Sequence, residues 1–191
     1  MDQKVIIVTA PSGAGKTTIV KHLLSRFPQL AFSVSATTRP PRIGEVNGED
    51  YYFLSMEEFK NRVEAKEFVE FEEVYHHTFY GTLLIEVKRL WQLGKTIVFD
   101  VDVKGAITLK KAFNENALSL FIKPPSTEIL DQRLRNRATD SLEKIQERIS
   151  KAHLELEFEE YFDKTIVNDN LHDALEEAVN AVNDFINKPA K

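Results

Sequence analysis

A glycine-rich stretch near the start of the chain, Ala-Pro-Ser-Gly-Ala-Gly-Lys-Thr at residues 10–17, has the residue types of a phosphate-binding loop. Gly13 and Gly15 allow the backbone to wrap closely around a polyphosphate, so that N–H groups and the N-terminus of a following helix point at its oxygens. The ammonium of Lys16 can reach the β and γ phosphates, and the hydroxyl of Thr17 is a hard oxygen ligand suited to Mg²⁺. The stretch therefore predicts a nucleoside triphosphate site.

Ala10 stands where the strict loop motif has its first glycine. A residue with a Cβ is acceptable there only if its backbone keeps ordinary dihedral angles. The apolar run before the loop and the helical spacing after it are the surroundings that such a loop requires.

A second phosphate site is indicated in a proline-rich loop. Arg39 and Arg42 lie three residues apart beside two prolines, a rigid setting that can present two guanidinium groups to one phosphate dianion. The hydroxyls of Tyr51 and Tyr80 can donate to the same anion. The alternative is that both arginines are solvated loop residues.

A third group of cations lies near the middle of the second half of the chain. Arg133 and Arg137 are four residues apart on one predicted helix, and Arg148 follows after a break. Arginines on a closing lid can neutralise the charge that develops when a γ-phosphoryl group is transferred, and closure would exclude water. The alternative is surface ion pairs with neighbouring acids, namely Glu128, Asp131 or Glu143.

Asp100 follows an apolar run at 96–99 that we expect to lie beside the loop strand. A carboxylate at this strand end can hold Mg²⁺ directly or through a water molecule. The alternative role is stabilisation of the next helix N-terminus.

Two other hypotheses have weaker support. Residues 102–105, Asp-Val-Lys-Gly, match the Asp-x-x-Gly element of switch GTPases, but the chain has no Asn-Lys-x-Asp guanine reader, and Asn168-Asp169 lacks the lysine. His76 and His77 are a poor candidate for a metal pair, because adjacent side chains are expected to diverge and no partner ligands are evident.

The composition is that of an ordinary globular protein. The 191 residues are 42% hydrophobic and 29% charged, with a net charge of −5 and a pI near 5.6. This charge disfavours stable binding to a nucleic acid polymer. The sequence has no cysteine and no apolar run of membrane-spanning length, and its first strand begins close to Met1. We expect one compact cytoplasmic domain, without a signal peptide or membrane contact.

Strand patterns alternate with helical spacings, which predicts a parallel sheet flanked by helices. Strands are expected at 5–9, 32–35, 51–54, 68–74, 78–80, 96–99, 118–122 and 165–167. A capping box of Ser55 and Glu58 predicts a helix to about Lys66, and Ser126 is expected to cap another.

Together these segments resemble guanylate kinases over nearly the whole chain. The matching segments are 10–17, 33–42, 44–53, 68–70, 80–82, 100–102, 124–126, 133–137, Arg148 and 167–169. The resemblance implies Mg²⁺-dependent transfer of the γ-phosphoryl group of ATP to GMP, and to dGMP, giving ADP and GDP in purine nucleotide metabolism and GMP recycling. It implies small-molecule substrates and a monomer or homodimer.

The implied architecture is α/β, with three parts. A P-loop core with a parallel β-sheet flanked by helices would comprise 1–35, 89–125 and 161–191. An inserted mixed α/β GMP-binding domain would span 36–88, and a small helical lid would span 126–160.

The resemblance also implies roles for individual residues. ATP would be bound by Ala10, Pro11, Ser12, Gly13, Ala14, Gly15, Lys16, Thr17, Asn168 and Asp169. GMP would be bound by Ser35, Arg39, Arg42, Tyr51, Glu70, Tyr80, Thr82 and Asp102. Catalytic groups would be Lys16, Arg42, Arg133, Arg137 and Arg148, and the metal would be held by Thr17 and Asp100.

The guanine assignment is chemically consistent. Guanine presents N1–H and N2–H on one edge, which the carboxylate of Glu70 can accept together, whereas adenine would leave that carboxylate unpaired. Thr82 and Ser35 can donate to O6. Thr82 replaces a serine common in the family, and Ala138 replaces a lid glycine. The intact Lys16 argues against the non-catalytic scaffold relatives, which are the alternative as a peptide-binding module.

Overall fold

The computed structural model describes residues 3–135 and 142–188. Its strands are β1 (Val5–Thr9), β2 (Leu30–Phe32), β3 (Ala36–Thr37), β4 (Tyr52–Phe53), β5 (Phe68–Tyr75), β6 (Thr78–Leu83), β7 (Thr96–Asp100), β8 (Ala117–Lys123) and β9 (Lys164–Val167). Its helices are α1 (Lys16–Arg26), α2 (Met56–Glu64), α3 (Leu84–Gln92), α4 (Val103–Phe113), α5 (Thr127–Arg135), α6 (Leu142–Leu156) and α7 (Leu171–Asn187).

The central sheet contains five parallel strands in the order β2-β7-β1-β8-β9. Its middle strand, β1, is buried along its whole length, and alternate residues pack into different apolar clusters. Ile6 and Val8 share one cluster with residues of α1 and α7. Val5 and Ile7 share the other with residues of α3 and α4. Helices therefore cover both faces, and the prediction of an α/β fold with a parallel sheet is confirmed.

The register of β1 against β7 determines where the phosphate-loop motif lies. Val8 pairs with Asp100 in neighbouring parallel strands, so the loop that follows β1 emerges beside that carboxylate. Ligands of open parallel sheets bind outside the carboxyl ends of the strands, which is the edge that these two residues occupy.

A second, mixed sheet has the order β4-β3-β6-β5. Helix α2 packs the buried ring of Phe59 against Phe68 and Phe79 of this sheet, at centroid distances of 4.5 and 5.6 Å. The helix begins with the predicted capping box, because Ser55 accepts from the Glu58 N–H while the Glu58 carboxylate accepts from the Ser55 N–H.

The prediction of one strand at 32–35 is wrong. The chain leaves the central sheet after Phe32 and enters the second sheet at Ala36. The N–H of Ser33 still donates to the Val98 carbonyl, but the N–H of Val34 donates to the side chain of Glu86 instead of a neighbouring strand. The connection is thus held by a side chain, which no strand pattern in the sequence shows.

Helices α5 and α6 pack against each other through a separate apolar cluster, in which Leu130 and Leu134 meet Ile145, Ile149 and Ala152. The hydroxyl of Ser126 accepts from the N–H of Ile129 at the start of α5, as predicted. Within 3–135 and 142–188, no helix combines the length and apolar character needed to cross a membrane.

Candidate active site

The loop at residues 10–17 has the backbone of a phosphate cradle. Gly13 and Gly15 adopt φ angles of 94° and 97°, a left-handed region in which a side chain is strained. The N–H of Ala14 donates to the Pro11 carbonyl at 3.1 Å and closes the turn. Ala10 is buried and lies outside the left-handed region, so the condition for a residue with a Cβ at this position is met.

Asn168 packs against the backbone of the loop at residues 10–17. Its Nδ2 donates to the Ala14 carbonyl at 2.7 Å, and a Cβ on Gly15 would lie 2.3 Å from that nitrogen. Arg133 donates from Nη2 to the Asn168 carbonyl at 3.1 Å. The structure therefore places Asn168 against the loop backbone and links Arg133 to it, while Asp169 is exposed.

Lys16 projects from the first turn of α1 towards the ends of the strands. Its ammonium lies 2.6 Å from Oδ1 of Asp100 and donates to the Val101 carbonyl at 2.9 Å. Burial acts to lower the pKa of Lys16, but Asp100, with smaller contributions from Asp102 and Glu155, outweighs it and the net direction is upward. The lysine is therefore held charged beside the loop.

A cleft of about 390 Å³ opens over this lysine and is called the loop cleft. Its lining is Ala10, Pro11, Ser12, Gly13, Gly15, Lys16, Thr17, Thr18, Tyr51, Val74, Tyr75, Asp100, Asp102, Arg148, Lys151 and Glu155. The loop, the end of β7 and helix α6 thus meet around one space. Arg148 Nη1 lies 3.5 Å from the Ser12 hydroxyl, which brings this predicted residue to the loop.

Sequence reasoning missed two residues of α6 that line the loop cleft, Lys151 and Glu155. Lys151 donates to the Val74 carbonyl at 3.0 Å and lies 3.6 Å from the Glu155 carboxylate. Burial raises the pKa of Glu155, although Lys151 opposes the shift. The signal in the sequence was the spacing of Arg148, Lys151 and Glu155, which places the three charges on one helix face.

A smaller cleft of about 180 Å³, called the acidic cleft, adjoins the loop cleft. Its lining is Lys16, Ser35, Tyr51, Glu70, Glu72, Val74, Tyr80, Gly81, Asp100, Val101 and Asp102. Lys16 and Asp100 line both clefts. The acidic cleft is rich in carboxylates, so it suits a ligand that presents hydrogen-bond donors. Glu72, which also lines this cleft, was not among the site residues predicted from the sequence.

Glu70 is buried at the base of the acidic cleft. Its Oε1 accepts from the Thr82 hydroxyl at 2.6 Å, and a Cβ on Gly105 would lie 2.8 Å from its Oε2. Burial raises the pKa of Glu70 to about 7, although the Thr82 hydrogen bond opposes the shift. Asp102 caps α4 by accepting from the Gly105 N–H at 2.9 Å.

Thr82 is fully buried and, among the described residues, is not part of the lining of either cleft. Its single hydroxyl hydrogen is donated to Glu70. The predicted donation to guanine O6 would therefore require this bond to be exchanged, whereas Ser35 does line the acidic cleft.

Arg39 packs against aromatic side chains of the second sheet and of the chain that leads into it. Its guanidinium lies 4.7 Å from the ring centroid of Tyr51, and the rings of Tyr51 and Tyr80 are 5.9 Å apart. The guanidinium is held by Glu45 through hydrogen bonds of 2.6 and 2.7 Å. Glu45 also accepts from the Arg42 N–H, while Arg42 itself is exposed.

Sequence reasoning did not predict that Glu45 would accept from both Nη atoms of Arg39. Hydrogen bonds from that guanidinium lower the pKa of Glu45 to about 2, so it is ionised at neutral pH. Arg137, the remaining predicted catalytic arginine, lies outside the described residues.

The metal prediction rests on Thr17 and Asp100, and both line the loop cleft. Hydroxyl and carboxylate oxygens are the donors that Mg²⁺ prefers, so the residues present are chemically suited to that ion. Asp102 offers a further carboxylate in the same cleft.

Comparison with known proteins gives one consistent result. A family model described as guanylate kinase matches residues 2–188. The guanylate kinase of Porphyromonas gingivalis is 50% identical over 186 residues, covering 97% of this chain and 99% of that protein. The guanylate kinase of Bacteroides fragilis is 49% identical over 185 residues, covering 97% and 91%. A crystal structure of guanylate kinase from Anaplasma phagocytophilum is similar with a TM-score of 0.78 at 29% identity, covering 97% of this chain and 87% of that one.

Proposed function

The chain belongs to the guanylate kinase family, and we propose on that premise that it transfers the γ-phosphoryl group of ATP to GMP, and to dGMP, giving ADP and the nucleoside diphosphate. The observation that carries the proposal is the meeting of the two clefts at Lys16 and Asp100. A donor phosphate in the loop cleft and an acceptor phosphate beside the acidic cleft can therefore approach each other near Lys16. Approach to about 3 to 3.5 Å is what in-line transfer requires.

On the donor side, the loop supplies backbone N–H groups and Lys16 supplies a fixed positive charge. The triphosphate is expected to draw the ammonium of Lys16 away from Asp100, which lies 2.6 Å from it. Negative charge builds up on the oxygens around the transferred phosphorus, and a preorganised cation stabilises that charge. Arg148 of α6, together with Arg133 and Arg137, is expected to add positive charge on the other side of the phosphates.

On the acceptor side, Glu70 is proposed to read the guanine edge. Its carboxylate already accepts from Thr82 through Oε1, which leaves lone pairs for N1–H and N2–H. Adenine offers an acceptor at N1, so it would place two acceptors against each other in a buried position. Discrimination of several powers of ten is typical when a site built for a hydrogen bond is left unpaired.

The GMP phosphate is proposed to bind between Arg39, Arg42, Tyr51 and Tyr80. The Nη atoms of Arg39 are engaged by Glu45, whereas its buried Nε has no hydrogen-bond partner among residues 3–135 and 142–188. A phosphate oxygen reaching Nε would satisfy that donor without displacing Glu45. Such a charge-assisted bond contributes roughly twice a neutral hydrogen bond.

Mg²⁺ is proposed to be held by Thr17 and Asp100. The ion would supply positive charge to the β and γ phosphates, complementing Lys16. Within this chain, Asp100 and Val101 carry the acceptors that orient Lys16, so the same strand end serves both groups.

A coupled assay of ADP release tests the proposal. The untagged chain is supplied with ATP, Mg²⁺ and one nucleoside monophosphate at a time, and turnover is expected with GMP and dGMP and to be at least about 100-fold lower with AMP. Omission of Mg²⁺ should abolish the reaction. Absence of GMP-dependent turnover would favour the non-catalytic scaffold hypothesis, and GTP hydrolysis without an acceptor would favour the GTPase hypothesis.

A further inference from the structure

The turn between β5 and β6 brings together two imidazoles and a carboxylate. One ligand atom from each of Glu73, His76 and His77 lies within 4.8 Å of the other two. We propose that this turn, called the hairpin metal site, binds a divalent transition-metal ion such as Zn²⁺ and is separate from the Mg²⁺ position in the loop cleft. The proposal does not depend on the phosphoryl-transfer reaction.

The backbone explains why these side chains converge although adjacent side chains of a strand diverge. His77 has a φ angle of 54°, so the turn is not an extended strand at this point. The rings of His76 and His77 have centroids 3.8 Å apart. The sequence-based expectation that the two histidines point apart and lack a partner ligand is therefore wrong for this turn.

Glu73 is fixed in place before any ion binds. Its Oε1 accepts from the backbone N–H of His77 at 2.7 Å. This bond spans the turn and holds the carboxylate on the same side as the histidines. One oxygen is thereby oriented, while the carboxylate keeps further lone pairs for a metal.

The donor set indicates the class of ion. Two imidazole nitrogens with one carboxylate oxygen suit Zn²⁺, Ni²⁺ or Cu²⁺, whereas Mg²⁺ prefers oxygen ligands and retains its waters. All three residues are exposed, so water can complete the coordination sphere and little desolvation opposes binding. An open site with three protein ligands is the arrangement that keeps one position accessible.

The hairpin metal site is next in the chain to two residues of the loop cleft. Val74 and Tyr75 lie between Glu73 and His76 in the chain, and both line the loop cleft. The Val74 carbonyl accepts from Lys151, whose ammonium also lies 4.9 Å from the ring centroid of Tyr75. An ion that fixes the turn would therefore order the segment through which the second sheet contacts α6.

Isothermal titration of ZnCl₂ into the untagged full chain, without nucleotide, tests the proposal. We expect the unsubstituted chain to bind one equivalent of zinc. The affinity for zinc should fall at least about tenfold in Glu73→Gln and in His76→Ala, and zinc binding should be lost in the His76→Ala/His77→Ala variant. Glu73→Gln keeps an oxygen that can accept from the His77 N–H, so its loss of affinity would report the carboxylate charge and not a collapsed turn.

The matched control is His172→Ala. His172 is exposed and lies 3.6 Å from Glu176, and among the described residues this histidine and carboxylate belong to no three-ligand cluster. Its zinc affinity should equal that of the unsubstituted chain. X-ray absorption of the zinc-loaded protein should show two imidazole ligands, and amide exchange around Val74 should slow on zinc addition. Equal zinc binding in the double variant, or zinc bound without imidazole scattering, would overturn the proposal.

Discussion

Arg39 and Glu45 form a two-pronged ion pair, with Nη1 and Nη2 of the guanidinium 2.6 and 2.7 Å from the two carboxylate oxygens. Both side chains are largely buried, at 12% and 18% exposure. The pair fixes the plane of the guanidinium and directs its Nε away from Glu45. The carboxylate is thus a positioning group for the arginine that is proposed to bind the GMP phosphate.

Replacing this carboxylate should loosen the arginine. Glu45→Gln is expected to raise the KM for GMP about tenfold with a smaller change in kcat, because a charged hydrogen-bond pair is weakened in the ground state as well as in the transition state. Steady-state kinetics at saturating ATP measure this. Glu49→Gln, an exposed acid of the same loop, is the control. A lower KM in Glu45→Gln would show instead that Glu45 competes with the phosphate.

Removal of the loop lysine should separate catalysis from acceptor binding. Lys16→Ala is expected to lower kcat at least about 100-fold, because the variant lacks the positive charge that stabilises the transferred phosphoryl group. GMP affinity, measured by calorimetry without ATP, should stay nearly unchanged, since the proposed acceptor contacts belong to other residues. Lys21→Ala, an exposed lysine of the same helix, should behave as the unsubstituted enzyme. Equal losses in turnover and GMP affinity would contradict the separation.

The raised pKa of Glu70 should make GMP binding depend on pH if Glu70 holds guanine as proposed. In the free enzyme this pKa is about 7, so the carboxyl is mostly protonated at pH 6 and mostly ionised at pH 8. Because Glu70 is proposed to accept from guanine in its ionised form, GMP affinity should rise about tenfold between these values. Titration calorimetry checks this, with Glu70→Gln as the reference for the ionisation of the GMP phosphate. A pH dependence identical in both proteins would rule out Glu70 as its source.

The raised pKa of Glu70 also makes the stability of the fold depend on pH, in the direction opposite to the pH dependence of GMP affinity. Between the ordinary carboxyl pKa of 4.5 and about 7 the folded protein holds the Glu70 proton more tightly than the unfolded chain does. The Glu70 contribution to the free energy of unfolding therefore falls as pH rises through this window and is constant above it. The free energy of unfolding, measured by urea denaturation, should therefore fall less between pH 5 and pH 8 in Glu70→Gln than in the unsubstituted chain.

The arginines that are proposed to stabilise the transferred phosphoryl group should act mainly in the transition state. Arg148→Ala and Arg137→Ala are each expected to lower kcat at least about 100-fold with little change in KM for either substrate. Arg148 lies 3.5 Å from the hydroxyl of Ser12 in the phosphate loop. Arg135→Ala, an exposed arginine at the end of α5, is the control. Unchanged kinetics in both variants would identify them as surface residues.

Local patterns in the sequence were sufficient for much of the fold. The buried strand at 5–9, the glycines of the following loop and the helix after it are specified by neighbouring residues, because turn geometry and helix capping depend on the residues themselves. The capping box at Ser55 and the alternation of strands and helices were predicted for the same reason. The point at which the chain leaves the central sheet was not predicted. The side chain of Glu86, which lies in a helix 52 residues after Val34, holds that connection.

The neighbouring positions of the strands at 5–9 and 96–99 were expected from the sequence, but the contacts between the predicted site residues were decided by the tertiary structure. Lys16 meets Asp100 because β1 and β7 are neighbours in register, and Glu70 meets Thr82 because β5 pairs with β6. The contact of Lys151 with the Val74 carbonyl joins α6 to a hairpin 77 residues earlier in the chain. Spacing along a sequence reports which side chains share one element, whereas the charge of Lys16 and the pKa of Glu70 depend on burial and on partners brought together by folding.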